Sequence, residues 1–127
     1  MEKQFLLVAL DLDGTLFNSK SSISDENKKA IKTAAAAGTI FVIATGRPYN
    51  GLPLEAMKEL GIQYAITTNG AAVYKVPERE CLFECCMPWE EATTLVDKLL
   101  TLPIHLDLFV NGCAYTPDIC KKAIESM

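Results

Sequence analysis

Two carboxylates, Asp11 and Asp13, sit two residues apart in the run Val8-Ala9-Leu10-Asp11-Leu12-Asp13-Gly14-Thr15-Leu16. They follow an apolar segment, residues 5–10, that reads as a buried strand covered on both faces. Placing carboxylates at the end of such a strand is costly unless a cation or a reaction makes use of them. Residues i and i+2 of a strand share a side, so the two acids can converge on one point. Gly14 supplies the backbone freedom for a sharp turn directly after them. The chemistry that fits is nucleophilic. Asp11 attacks phosphorus to give an acyl-phosphate that water later hydrolyses, and Asp13 moves the proton of the leaving oxygen and then that of the water. Bringing a phosphate anion to a carboxylate costs roughly 4 kcal/mol per charge pair at ~4 Å and an effective dielectric of about 20. A divalent cation offsets that repulsion, and Mg2+, which prefers oxygen ligands, suits it.

The elements that must hold these acids are legible from period and punctuation. Ser24 reads as the N-cap of a helix over 25–37, with Ala30, Ile31, Ala34 and Ala35 inward and Gly38 as its stop. Residues 39–44 form a second buried strand ending at Thr45-Gly46-Arg47-Pro48. A helix over 53–60, closed by Gly61, leads to a third strand over 63–67 that ends at Thr68-Asn69-Gly70. Three strand–helix repeats imply right-handed crossovers and a parallel sheet. All three strands end in polar, Gly-containing turns, and open α/β sheets bind ligands along that edge. Thr45 and the Gly46 amide are placed there to hold phosphoryl oxygens.

The remainder changes character. Val73-Tyr74 and 81–83 read as a hairpin around Pro77-Glu78-Arg79. Pro88 opens an amphipathic helix to about Thr101, with Trp89, Ala92, Val96 and Leu99 on its packed side. Ile104–Val110 and Cys113–Tyr115 flank Asn111-Gly112, a hairpin turn, and Thr116-Pro117 starts a last helix running to Met127. The expected boundary lies near residue 85. His105, the single histidine, reads as a strand residue rather than a general base.

The run Asp11-Leu12-Asp13-Gly14-Thr15-Leu16 resembles the first motif of the haloacid dehalogenase (HAD) superfamily of phosphohydrolases. Ala44-Thr45-Gly46-Arg47-Pro48 and Thr68-Asn69-Gly70-Ala71 resemble later motifs of its Cof-type branch. The resemblance implies a fold in the α/β class, a partial Rossmann-like parallel three-layer core over 1–84 followed by the beginning of an α/β cap over 85–127. It implies Asp11 as nucleophile, Asp13 as acid/base and Thr45 as phosphate binder, with Arg47, Asn69 and Gly70 near the substrate. It also implies Mg2+ held by the Asp11 side chain and the Asp13 carbonyl. Members of the branch are roughly twice this length and carry a phosphate-binding lysine and a further acidic motif after the cap. Neither has a counterpart here, so the chain reads as truncated, and without its neighbour the first strand would be an exposed apolar edge inviting self-association.

Composition bounds the rest. The chain has 127 residues, is 50% hydrophobic and carries a net charge of −4, which offers no basic surface for nucleic acid. No apolar run reaches the length of a membrane span. Five cysteines, an odd set with no signal-peptide layout before them, fit reduced thiols and a cytoplasmic setting. The expected function is a Mg2+-dependent phosphatase acting on a small phosphorylated metabolite such as a sugar phosphate. The alternative is a truncated, non-catalytic domain that binds phosphate or a partner chain.

Overall fold

A computed structural model describes residues 5–118, so all but the first three residues of the expected C-terminal helix over 116–127 lie outside the described residues. The chain divides into two compact units, Met1–Glu84 and Cys85–Met127.

The first unit is built on one five-stranded sheet in the order β1-β2-β3-β4-β5. The strands are β1 (Leu7–Leu10), β2 (Ile40–Ala44), β3 (Tyr64–Thr67), β4 (Ala72–Lys75) and β5 (Glu80–Glu84). The first three run parallel, with Leu10 opposite Ile43 and Ile43 opposite Ala65. β4 and β5 then add antiparallel, with a register shift at Val73/Tyr74. The helix α1 (Asp25–Ala36) connects β1 to β2, and α2 (Leu54–Leu60) connects β2 to β3.

Local chemistry sets the ends of these elements. The Ser24 hydroxyl accepts from the Asn27 amide at 3.2 Å, so the expected cap is in place, and Asp25 and Glu26 face the positive end of the α1 dipole. Gly61 closes α2 at φ 70°, a left-handed conformation that glycine adopts without strain. Ile31 of α1 is buried, whereas Ala30 and Ala35 are exposed, so the inward stripe is narrower than the apolar pattern implies.

One continuous core joins Ile31, Met57 and Leu60 to Ile43, Ala65, Ala72 and Tyr74 on one face of the sheet. Leu12 and Leu16, from the turn after β1, seal the same core. Strand alternation puts Leu7, Ala9, Ile40, Val42, Ile66 and Val73 on the opposite face, and none of these belongs to that core. On that face Leu7 and Ile40 are exposed and Val42 is buried, so the described residues supply only part of the cover expected over both faces of the first strand. Among the described residues β1 pairs with β2 alone, and Phe5, Leu6 and Leu7 are exposed. A continuous apolar run reads the same whether or not a second layer lies over it.

In the second unit, α3 (Trp89–Leu99) precedes an antiparallel pair, β6 (Leu108–Val110) and β7 (Cys113–Tyr115). Asn111 and Gly112 both have positive φ, 49° and 75°, as the tight hairpin requires. Ala92, Val96 and Leu99 are half-buried, but Trp89 is 79% exposed and not a packing residue of its helix. His105 precedes β6 rather than lying in it, and its Nε2 is 3.0 Å from Asp107 Oδ2.

Candidate active site

The carboxyl ends of β1, β2 and β3 lie side by side, and the polar turns that follow them meet there. After β1 the chain makes a wide turn in which the Leu16 amide donates to the Asp11 carbonyl at 3.2 Å and the Phe17 amide to the Leu12 carbonyl at 2.9 Å. Gly14, at φ 77°, is the residue that lets this loop close. Burial of Leu12 and Leu16 anchors the loop, and their polar neighbours Asp11, Asp13 and Thr15 are left exposed. Apolar and polar positions alternate around the turn, which drives the acids outward.

Asp11 Oδ2 accepts a hydrogen bond from the Thr15 hydroxyl at 2.9 Å. Thr15 therefore joins the site, a residue the motif contains but to which sequence reasoning gave no role. A hydroxyl four residues on, across a one-turn loop, is the signal that could have found it.

Asp13 is held by Arg47. Arg47 Nε donates to Asp13 Oδ2 at 2.7 Å, and Nη2 to Oδ1 at 2.6 Å, a two-pronged pair in which the planar guanidinium matches the carboxylate. The hydrogen bonds from Arg47 hold the Asp13 carboxyl below the usual carboxylate range, and the same contact raises the Arg47 guanidinium. Arg47 is fixed from two other sides. Its Nη1 donates to the Gly51 carbonyl at 3.1 Å, and its guanidinium lies 5.3 Å from the centroid of the Phe17 ring. Neither Gly51 nor Phe17 announces this role in the sequence, because the contacts are tertiary.

Thr45, at the end of β2, is buried, and its Oγ1 accepts from the Arg47 amide at 3.1 Å, which leaves the hydroxyl hydrogen to donate. Its carbonyl accepts from the Asn69 amide at 3.2 Å, and the Thr68 amide reaches the Arg47 carbonyl at 3.0 Å. The turn after β3 is thereby stitched to the turn after β2. Thr68 and Asn69 make this possible by taking positive φ values of 51° and 54° in succession, an unusual conformation for a β-branched residue. A Cβ on Gly46 would fall 2.9 Å from Asn69 Oδ1, so the glycine is what admits the Asn69 side chain. Gly70 follows at φ 95° and serves the backbone shape of the turn.

The fold thus links Asp13, Thr45, Gly46, Arg47 and Asn69 through direct contacts, with Asp11 at the end of the adjoining strand. A separate concavity of about 460 Å3, lined by residues including Tyr49, Met57, Ile62 and Val76, opens where β3 begins and β4 ends. That is the far edge of the sheet, so it is not part of this constellation. Among the described residues no group of three or more His, Cys, Asp or Glu side chains is placed to hold a metal ion.

Comparison with known proteins finds relatives along nearly the whole chain. Phosphatase YwpJ of Bacillus subtilis is 32% identical over 120 residues, covering 94% of this chain and 41% of that protein. The 5-amino-6-(5-phospho-D-ribitylamino)uracil phosphatase YcsE of the same organism is 41% identical over 107 residues, 80% of this chain and 35% of its own length. A haloacid dehalogenase-like hydrolase structure from B. subtilis superposes with a TM-score of 0.77 at 27% identity, covering 96% of this chain and 50% of the other. The chain therefore spans about half, or less, of the length of these relatives. The family model described as haloacid dehalogenase-like hydrolase matches residues 8–126, nearly the whole sequence. With that match and the relatives beside it, the chain belongs to the haloacid dehalogenase-like hydrolase family.

Proposed function

We propose that this chain carries the nucleophile half of a phosphatase that hydrolyses a small phosphorylated metabolite through an aspartyl-phosphate. The observation that carries the reading is the juxtaposition of Asp13, Arg47 and Thr45 beside Asp11 at the carboxyl edge of the parallel strands. Residues 1–84 form the catalytic core in this reading, and 85–127 begin a cap domain.

An Asp11 carboxylate oxygen attacks phosphorus, the bond to the leaving oxygen breaks, and Asp13 delivers the proton that oxygen needs. Water then attacks the acyl-phosphate, Asp13 accepts its proton, and Asp11 is regenerated. The Thr45 hydroxyl and the Gly46 amide donate to phosphoryl oxygens, while Asn69 and Gly70 border the substrate. Asp13 can serve as an acid only after its pair with Arg47 opens, because Arg47 stabilises the ionised carboxylate. An incoming phosphate competes for the same guanidinium, so substrate binding itself can release Asp13.

The donors present fit Mg2+ in kind. Both oxygens of the Asp13 carboxylate are engaged by Arg47, and the Asp11 carboxylate and the Asp13 carbonyl, the pair that the family resemblance implies, would hold the ion. When bound, the ion neutralises charge on the phosphoryl group.

The class of substrate is supported by the relatives named for ribitylamino-uracil phosphate hydrolysis, which act on a small phosphate monoester. No helix among the described residues is long and apolar enough to cross a membrane. A cytoplasmic location is part of the same proposal.

A second reading, a phosphate-binding domain without turnover, is favoured by one specific observation. Arg47, the cation at the acid pair, is already committed to Asp13. Hydrolysis of p-nitrophenyl phosphate with Mg2+ separates the two. The phosphatase reading expects turnover that falls to background in Asp11→Asn. Phosphate binding with no turnover in the parent chain establishes the second reading instead.

A further inference from the structure

Arg47 is followed by Pro48 and by a single helical turn, Tyr49–Gly51, that bends the chain back toward it. The Gly51 amide donates to the Pro48 carbonyl at 2.9 Å and the Leu52 amide to the Tyr49 carbonyl at 3.0 Å, so the turn closes on itself. The Gly51 carbonyl then accepts from Arg47 Nη1 at 3.1 Å. Gly51 also keeps space open for the arginine. A Cβ there would fall 3.2 Å from Arg47 Cβ and 3.6 Å from its Cδ. With Nη1 taken by the turn, Nε and Nη2 face Asp13. Where the turn sits therefore decides which edge of the planar fork meets the carboxylate.

Tyr49 decides where the turn sits. It leaves the chain shortly after β2 ends, yet it is buried and its hydroxyl donates to the Val76 carbonyl at 2.8 Å. Val76 follows Lys75 of β4, which stands opposite Tyr64 at the start of β3, so the bond reaches the far edge of the sheet. The Arg79 amide donates to the same carbonyl at 3.1 Å, and the Arg79 guanidinium lies 4.8 Å from the centroid of the Tyr49 ring. Tyr74 of β4 meets that ring edge-on, with centroids 4.9 Å apart. The β4–β5 hairpin thus grips one side chain from three residues. Apolar packing alone would bury the ring, but a hydroxyl bonded to a buried carbonyl also fixes its depth and rotation.

We propose that Tyr49 and Gly51 are positioning residues for Arg47, through which the β4–β5 hairpin sets where the guanidinium stands beside Asp13. The consequence for turnover rests on the phosphatase reading above, whereas the positioning itself does not. A guanidinium displaced by about 1 Å loses its two-pronged fit, and errors of that size near a reacting centre cost rates on the order of 10²-fold.

The test reads the Arg47 Nε–H by NMR, since that hydrogen lies in the bond to Asp13. Tyr49→Phe keeps the ring and deletes the hydroxyl. Gly51→Ala adds a Cβ against Arg47 without backbone strain, because Gly51 is not left-handed. In each variant the Arg47 Nε–H is expected to exchange with water at least about threefold faster than in the parent chain. Ile31→Val is the control, a core loss on α1 that changes no residue of the turn, and it is expected to leave that rate unchanged. An unchanged rate in either Tyr49→Phe or Gly51→Ala overturns the proposal. An equal rise in Ile31→Val also overturns it, because Tyr49 would then act through stability alone. With p-nitrophenyl phosphate and Mg2+, Tyr49→Phe is expected to lower kcat/KM about fivefold and Ile31→Val to leave it unchanged. A kcat/KM that Tyr49→Phe does not move overturns the proposal as well. A parent chain without turnover counts against the phosphatase reading instead, and the exchange rates then decide the positioning.

Discussion

Arg47 and Asp13 form a two-pronged ion pair across the ends of two neighbouring strands, with both carboxylate oxygens engaged at 2.7 and 2.6 Å. The pair joins the loop after β1 to the turn after β2 and holds the carboxyl of the proposed acid below its ordinary range.

Removing the guanidinium is expected to release that carboxyl. In Arg47→Met the Asp13 side chain should titrate upward, toward the ordinary carboxylate range, in a 13C NMR pH series. The sign follows from linkage. A carboxyl whose folded-state pKa is depressed contributes stability above its unfolded pKa of about 3.9, and that contribution is lost as pH falls through the folded value. The pair is exposed, so the stability effect is small and the titration is the sensitive readout. An unmoved Asp13 curve would mean that Arg47 does not hold the group in solution.

Gly46→Ala tests the contact with Asn69. The backbone of Gly46 is not left-handed, so alanine is not strained there, but its Cβ would crowd Asn69 Oδ1 at 2.9 Å. The amide end of Asn69 is exposed and can swing aside. The unfolding midpoint should change little, by about 0.5 kcal/mol or less. The Asn69 side-chain amide resonances should shift strongly and phosphate binding should weaken. Unchanged Asn69 signals would show that the side chain sits elsewhere.

Met57 ties α2 to the sheet and is 2% exposed within the core. Met57→Ala removes packing from a site walled by several fixed elements, and should cost about 2–5 kcal/mol in urea unfolding. A loss below about 1 kcal/mol would indicate that α2 is loosely seated.

Ser24 caps α1 through its hydroxyl. Ser24→Ala should cost about 1 kcal/mol and Ser24→Gly only a few tenths, because glycine also tolerates the cap position. Equal losses in both variants would point to a role for Ser24 other than the bond to Asn27.

Much of this was legible in the chain. The strand ends carrying Asp11 and Thr45 are marked by apolar runs that stop at polar, Gly-containing turns, and periodicity locates such punctuation well. Ser24, Gly61 and Asn111-Gly112 are local signals with local causes, and each falls where its chemistry places it. What the sequence could not show is pairing across distance. Nothing in Val73-Tyr74 says that the strand lies antiparallel beside β3. Nothing in Gly46-Arg47-Pro48 says that the arginine turns back to Asp13, with Phe17 and the Gly51 carbonyl fixing it. The apolar stretch over 5–10 encodes a strand but not its neighbours, so it does not say that among the described residues Leu7 and Ile40 stay exposed. Trp89 marks the same limit, since helical spacing names a face without saying what lies against it.

The back-to-back left-handed residues Thr68 and Asn69 set a trade between durability and recognition at the rim of the site. A threonine in that region carries strain on the order of 1–3 kcal/mol. Glycine at position 68 would relieve it, and a design aimed only at a tougher protein would choose that replacement. It would also loosen the stitch that brings the Thr68 and Asn69 amides back to Arg47 and Thr45. Selection for heat resistance and selection for ligand grip should therefore pull this one codon in opposite directions.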